Sequence, residues 1–345
     1  MEAGIAIRFP MGRKLLKALT RPLQIIFSLA LIIYLTRYIV LRWHEVSAVG
    51  LSFDFLPILC ASGLLILFYL IYSLTWIRLL RWIQDVSNGT DFSGIMLLRI
   101  FFVTFITRYL PAGTLWNVSG KIEMLKREGL RRAIGFTSVL FEQIYLASGT
   151  ILLASVAFLS YPKDALPAFV IPYRTLLSIA GIAFCLLTLI VPDWILRISS
   201  RFLHKPILES TSNELTPSRR TGAFLRFVAA NLAQGLAGML VLTAIYPAWS
   251  DRPDLIPVVI SAYPFSRLIG QIFAFVPGGI GVREGSFILV LGPLLPVESL
   301  LAAAASMRLI SVFIELIMLG SILLLDRSRV NHTPDMGYNN ENLNK

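Results

Sequence analysis

Cysteine and histidine are nearly missing from this 345-residue sequence, which has two of the first and three of the second. Cys60 and Cys185 both lie in apolar runs, so no disulfide framework is available. His44, His204 and His332 are too scattered to share a metal ion. Charge is scarce as well: Asp, Glu, Lys and Arg together make up 15% of positions, against about 25% in soluble chains. Acid is the scarcer sign, 20 residues against 31 basic ones, and Asp54, Asp251 and Asp254 form no convincing catalytic or metal-binding motif. These lacks predict no metal, no cofactor and no enzymatic centre.

What the sequence has instead is apolar length. Hydrophobic residues fill 56% of it, above the roughly 45–50% of soluble domains. They arrive in long runs: 22–41, 56–80, 95–110, 134–159, 172–191, 223–246, 255–276 and 299–325. A helix needs about 20 apolar residues to cross a bilayer core, so the chain is predicted to be an all-α polytopic membrane protein. The run at 22–41 follows Arg13, Lys14, Lys17 and Arg21 as a secretory signal would. It exceeds the ~7–15 apolar residues of a signal core and lacks a small-residue cleavage pattern, so it reads as a retained first span. The net charge of +11 is concentrated between runs. That is the positive-inside pattern of a multi-pass protein of a bacterial inner membrane, and it argues against nucleic-acid binding.

Counting charges along the chain also predicts topology. With the basic residues 8–21 cytoplasmic, Arg78 and Arg81 close the second span on the same side. A full crossing by 95–110 would then export Lys121, Lys126, Arg127, Arg131 and Arg132, against the positive-inside rule. The conflict disappears if this segment enters and returns on one face, breaking at Leu110-Pro111-Ala112-Gly113. The same holds for 255–276, which breaks at Val276-Pro277-Gly278-Gly279. Six full spans and two re-entrant hairpins satisfy the charges, whereas eight full spans do not. The predicted organisation is a cytoplasmic basic segment 1–21, a membrane domain 22–325 and a polar cytoplasmic tail 326–345.

The two breaks also align with each other. Residues 106–113 match 272–279 at an offset of 166, with six of eight positions identical or similar. Units of about 56–159 and 223–325 then form an inverted-topology repeat, an arrangement whose site lies near the membrane midplane.

Ionisable groups inside such runs are costly and mark cavities or partners. Glu142 shares a helical face with Ser138, Tyr145 and Gly149, and Arg308 with Ser311 and Glu315. The residues leave two compatible readings open: both faces line a substrate path, or Glu142 and Arg308 pair to hold two helices together. Arg108, three residues before Pro111, is placed at a hairpin tip and suits an anionic headgroup, because guanidinium pairs bidentately with phosphate. Arg267 and Gln271, one turn apart, form the corresponding polar face of the second unit. Arg99 reads as either a headgroup ligand or a side chain snorkelling to the interface. Gly278, Gly279 and Gly281 free backbone amides for an anion nest, and a helix opening near Arg283 and Glu284 adds its positive end. The basic stretch 121–132 suits anionic lipid headgroups or topology alone.

These motifs resemble one family. Arg108-Tyr109-Leu110-Pro111-Ala112-Gly113, the basic stretch after it, Ser138-Val139-Leu140-Phe141-Glu142 and Pro277-Gly278-Gly279-Ile280-Gly281-Val282-Arg283-Glu284 follow the pattern of a flippase-like family. It is named for the membrane domain of lysylphosphatidylglycerol synthetase. The resemblance spans about 23–325 and departs at Ala112, where many relatives have a second glycine. It implies the translocating half of such a protein without the aminoacyl-transferase domain. The expected function is movement of an anionic phospholipid or a polyprenyl-phosphate-linked lipid between leaflets. The expected site is Arg108, Pro111, Gly113, Glu142, Arg267, Gln271, Pro277, Gly278, Gly279, Gly281, Arg283, Glu284 and Arg308. Two other classes stay open: a membrane enzyme of a lipid-linked glycan pathway using Asp54, Asp251 or Asp254, and an accessory subunit recruiting a cytoplasmic lipid-modifying enzyme through 121–132 and 209–220.

Overall fold

An apolar run of 25 or more residues, free of proline and poor in charge, has only one way to satisfy its backbone in hydrocarbon, which is to coil into a helix. The computed structural model describes residues 54–84, 92–110, 112–166, 169–190, 216–273 and 276–330, and among them it contains helices and turns but no strand. The helices are α1 (Phe55–Gln84), α2 (Gly94–Ile106), α3 (Gly113–Arg127), α4 (Arg132–Ser160), α5 (Arg174–Ile190), α6 (Pro217–Ile245), α7 (Ile256–Ile272), α8 (Val282–Leu291) and α9 (Val297–Val330). The predicted first span at 22–41, Pro111 and the polar segment 331–345 lie outside the described residues.

Six stretches are long and apolar enough to cross a membrane: Phe55–Gln84, Arg132–Ser160, Ile171–Leu189, Pro217–Ile245, Pro253–Ile272 and Val297–Asp326. The chain is a multi-pass helical membrane protein. Five of these are the expected full spans. The sixth, Pro253–Ile272, belongs to the segment predicted to be re-entrant, and its length and composition alone suffice to cross. Its counterpart α2 has 13 residues. At 1.5 Å per residue it reaches about 20 Å, short of a ~30 Å hydrocarbon core. The end of the last helix also differs from expectation: α9 runs on to Val330, so the start of the predicted tail is helical.

Both Pro-Gly sites break the helix as predicted, by different local means. After α2 a 3-10 turn at Thr107–Tyr109 leads to Leu110 in an extended conformation (ψ 160°), which a following proline favours. Ala112 then takes φ 56°, ψ 31°. For a residue with a β-carbon this left-handed conformation costs about 1–2 kcal/mol. In the second break the left-handed positions are Gly278 (φ 57°) and Gly279 (φ 66°), where no such cost arises. In each case the chain reverses: α3 packs on α2 with Gly120 against Thr104, and α8 packs on α7 with Gly270 against Arg283.

The order long helix, helix, broken tip, helix, long helix therefore occurs twice, as α1-α2-α3-α4 and α6-α7-α8-α9. The long members α1, α4, α6 and α9 have 30, 29, 29 and 34 residues. The most extensive helix contact joins the two leading members, α1 and α6. Gly235 allows α6 to approach α7 so closely that any β-carbon would overlap the Ile260 carbonyl oxygen. Inside, Phe68, Tyr69, Tyr72, Trp76, Phe101, Phe105 and Phe227 form a buried aromatic cluster. Outside, Leu67 and Leu74 of α1, Leu176 and Leu187 of α5, and Phe313 and Leu324 of α9 are exposed, a surface suited to hydrocarbon and costly in water.

Candidate functional site

The two broken tips meet. The Tyr109 ring of the first lies beside Gly278 of the second, and a β-carbon at Gly278 would come within 3.0 Å of that ring and 2.7 Å of Arg308 Nη2. Arg308 Nη2 donates to the Gly278 carbonyl oxygen at 3.1 Å, while Nη1 donates to Glu284 Oε1 at 2.7 Å. Glu284 also accepts from the Gly281 amide at 2.7 Å through Oε2. The predicted anion nest is thus engaged from within the protein. The Gly281 amide faces the carboxylate of Glu284, the Gly279 amide donates to Val276 (3.0 Å), and the tip offers a carbonyl to Arg308. Replacing Gly278 by alanine combines an unfavourable φ with a collision at Arg308. It is expected to lower thermal stability in detergent by roughly 2 kcal/mol or more. Gly285→Ala is the control, since nothing lies within 4 Å of its β-carbon position; equal tolerance of the two changes would refute this tip contact.

Arg108 comes from the first tip and is buried, its guanidinium 4.2 Å from the centre of the Phe105 ring. It is ion-paired with Glu315 of α9. Glu315 also accepts from Tyr69, and from Tyr109 at 3.1 Å. The expected headgroup arginine therefore already has a carboxylate, one that shares the helix face of Arg308. Gly113 is needed for the tip itself, because a β-carbon there would overlap the Arg108 carbonyl. Pro111 lies outside the described residues, and of Pro277 only the backbone turn is described.

The expected pair of Glu142 and Arg308 does not form. Each finds its partner within its own repeat unit, because each tip folds its short helix against the next long one. Glu142 accepts from Lys121 Nζ at 2.6 and 2.9 Å and from the Tyr72 hydroxyl at 2.6 Å. Lys121 was expected in a lipid-facing basic stretch. It is instead 0% exposed, as is Glu142, with Phe101 and Trp76 at 4.3 and 4.9 Å from its ammonium. The second unit repeats this tie between short and long helix with the charges reversed, Glu284 on α8 and Arg308 on α9. Arg99 neither binds at the centre nor stands free: it joins Asp326 at 2.6 Å and Glu128 at 3.4 Å, fastening α2 to the end of α9. On the same helix as Lys121, the half-exposed Glu123 carboxyl is held below its usual range by the hydrogen bond from Arg132.

Arg267 and Arg283 behave differently. Arg267 is 1% exposed and its one hydrogen bond is to a neutral acceptor, Asn231 Oδ1 at 2.7 Å. Asn231 is held in turn by Thr150 and by the Leu146 carbonyl. Nε and Nη1 of Arg267 are buried without a partner, and its guanidinium stands 5.4 Å from the Phe68 ring centre. Arg283, half-buried, packs on Gly270 and Gly279 and leaves Nε unpartnered. It lines a small crevice with Tyr263, Ser266, Glu284, Phe287, Ala304 and Arg308. Neither arginine has a carboxylate partner among the described residues. Gln271, one turn beyond Arg267, is half-buried and joins no hydrogen bond of this cluster.

An apolar groove of about 260 Å³ lies between α1, α2 and α9, lined by residues including Ile66, Leu70, Leu98, Phe102, Ile314 and Met318. Tyr69 and Glu315, which meet at the Arg108 ion pair, lie on α1 and α9, two of the three helices that flank this groove. No group of three His, Cys, Asp or Glu residues among the described ones is placed to hold a metal ion. Reading the sequence passed over Lys121, Tyr69, Tyr72 and Asn231 as members of the site. Asn231 left a trace, a polar side chain within the apolar run 223–246; Lys121 left none, since its neighbours look amphipathic.

A model of the family described as the lysylphosphatidylglycerol synthase TM region matches residues 23–318. The match covers most of the chain, which therefore belongs to this family, a family of membrane proteins of lipid-related pathways. No curated protein matches the sequence.

Proposed function

We propose that this member of the lysylphosphatidylglycerol synthase TM-region family is a non-enzymatic transporter that moves a lipid with an anionic, phosphate-bearing headgroup between leaflets of a bacterial inner membrane. The observation that carries the reading is Arg267, a guanidinium sealed inside the bundle with no acid to balance it among the described residues. Isolated buried charge costs several kcal/mol even in proteins that relax around it. A fold that keeps one has a use for it, and an anion arriving from outside supplies the missing charge. Guanidinium suits phosphate because its parallel N–H groups match two oxygens at once.

The groove between α1, α2 and α9 favours a lipid over a soluble anion, since an acyl or prenyl chain has an apolar track next to the charged centre. In this reading the two tips enter from opposite faces, meet at midplane, and part to let the headgroup by, as in other inverted-repeat carriers. Arg108 and Arg308, with Glu315 and Glu284, are the gate. The pairs exchange their internal carboxylates for the passing phosphate, while Glu142 and Lys121 anchor the first tip. The cargo is an anionic phospholipid or a polyprenyl-phosphate-linked lipid, delivered or consumed by a cytoplasmic lipid-modifying enzyme. Asp54, Asp251 and Asp254, on which an enzymatic reading depends, are exposed residues outside this cluster, and Asp254 is engaged by Arg252 at 3.0 Å.

The test is leaflet exchange in proteoliposomes containing the full chain and a trace of fluorescent phosphatidic acid or phosphatidylglycerol. Reagent quenching of the outer leaflet is expected to run well beyond half of the label, and to stop near half in the Arg108→Ala, Arg308→Ala double variant. Exchange no faster than in protein-free vesicles, or unchanged exchange in that variant, sinks the assignment.

A further inference from the structure

The charges at the centre of the bundle do not cancel, and their imbalance has a definite size. Arg108 is matched by Glu315 and Arg308 by Glu284. Lys121 and Glu142 close on each other and add nothing. Among the described residues Arg267 and Arg283 remain, each without a carboxylate, and Arg283 packs on Gly270, one helical turn from Arg267. The cluster thus has two positive charges in excess, in a region where low polarity makes like-charge repulsion strong. Its hydrogen bonding is incomplete in the same sense. Nε of Arg108, Arg267, Arg283 and Arg308, and Nη1 of Arg267, are all buried donors with no acceptor. Buried donors are normally satisfied, so a group of five left open around one centre calls for an acceptor with several oxygens.

Resting on the transport reading above, we infer that the headgroup bound here is dianionic, a phosphomonoester or a diphosphate rather than a phosphodiester. A phosphodiester carries one negative charge and leaves one arginine unbalanced. A phosphomonoester carries about −1.5 to −2 near neutral pH and has three acceptor oxygens. A diphosphate has more of both. Either matches the combined charge of Arg267 and Arg283, so that Glu315 and Glu284 can return to Arg108 and Arg308 once the headgroup has passed between them. Arg283 is then the residue that sets charge preference. Arg267 is sealed and present for any anion, whereas Arg283 lines the crevice beside Arg308 and meets only a headgroup with a second charge.

The experiment is binding of soluble short-chain probes to the purified full chain in neutral detergent near pH 7.5. Farnesyl diphosphate and dihexanoyl phosphatidic acid are compared with dihexanoyl phosphatidylglycerol and the zwitterionic dihexanoyl phosphatidylcholine. The dianionic probes are expected to bind at least about tenfold more tightly than phosphatidylglycerol. Arg283→Gln is expected to weaken binding of the dianionic probes much more than that of phosphatidylglycerol, and so to bring that ratio close to one. Arg283→Lys, which keeps the charge, is expected to retain most of the preference, and so separates lost charge from damaged packing. Equal affinity for phosphatidylglycerol and the dianions, or a preference that survives Arg283→Gln, overturns the inference. The transport reading fails separately, if no anionic probe binds better than phosphatidylcholine.

Discussion

Arg267→Met is expected to give a protein that is harder to unfold and unable to translocate lipid. The arginine is buried with a single neutral partner and two unpartnered donors, so without ligand it is a burden on the fold. Replacing buried charge by an apolar side chain of similar length is often neutral or stabilising by about 1–4 kcal/mol. Asn231 loses one donor but keeps that of Thr150 at 3.2 Å, so the substitution leaves no orphaned acceptor there. Thermal unfolding in lipid-free detergent is therefore expected to shift upward. Leaflet exchange in proteoliposomes is expected to fall to the protein-free rate, because the guanidinium that draws the phosphate is gone. A lowered melting temperature would mean that Arg267 is structural, and preserved exchange would remove it from the transport path.

Glu142→Ala is expected to do the reverse to stability, although it too alters one charge inside the bundle. It leaves Lys121 sealed among Tyr72, Trp76 and Phe101 with its carboxylate removed. Truncating one member of a buried ion pair costs about 3–5 kcal/mol, most of it the expense of the charge left behind. The Lys121→Met, Glu142→Leu double variant removes both charges at once and is expected to recover most of that loss. Melting curves of the wild type, Lys121→Met, Glu142→Leu and the double variant complete the cycle, in which a coupling close to zero would show that the two groups act independently. A paired buried charge is part of the scaffold, and an unpaired one is kept for something that comes and goes.

Much of this was legible in the chain. The apolar runs foretold the long helices, the two Pro-Gly sites foretold where the helices break, and the offset that lays Ile106 on Ile272 pairs the last residues of α2 and α7. These are local facts. Hydrophobic length, a missing amide hydrogen and a missing β-carbon act on the residues that carry them. Arg308, Glu142 and Arg267 stood out for the same reason, as ionisable side chains in hydrocarbon-like surroundings.

Which charge meets which was not legible. Glu142 and Arg308 are opposite in sign and were open to pairing, yet the fold brings Lys121 to the one and Glu284 to the other. Lys121 lies in a segment whose alternation of basic and apolar residues suits a surface helix, and only the packing of α3 against α2 and α4 buries it. Arg108 likewise acquired Glu315 from a helix some two hundred positions along the chain.

The sequence alone therefore determined that this protein spans a membrane many times, that it breaks twice at matching points, and that costly charges lie near both breaks. Tertiary structure alone decided that Arg108, Lys121 and Arg308 meet carboxylates and that Arg267 and Arg283 meet none among the described residues. A lone charge and a paired one look the same along the chain, because pairing depends on Coulomb and hydrogen-bond distances of a few ångströms. Those distances exist only once α3, α8 and α9 have packed against one another's partners and the two tips have met.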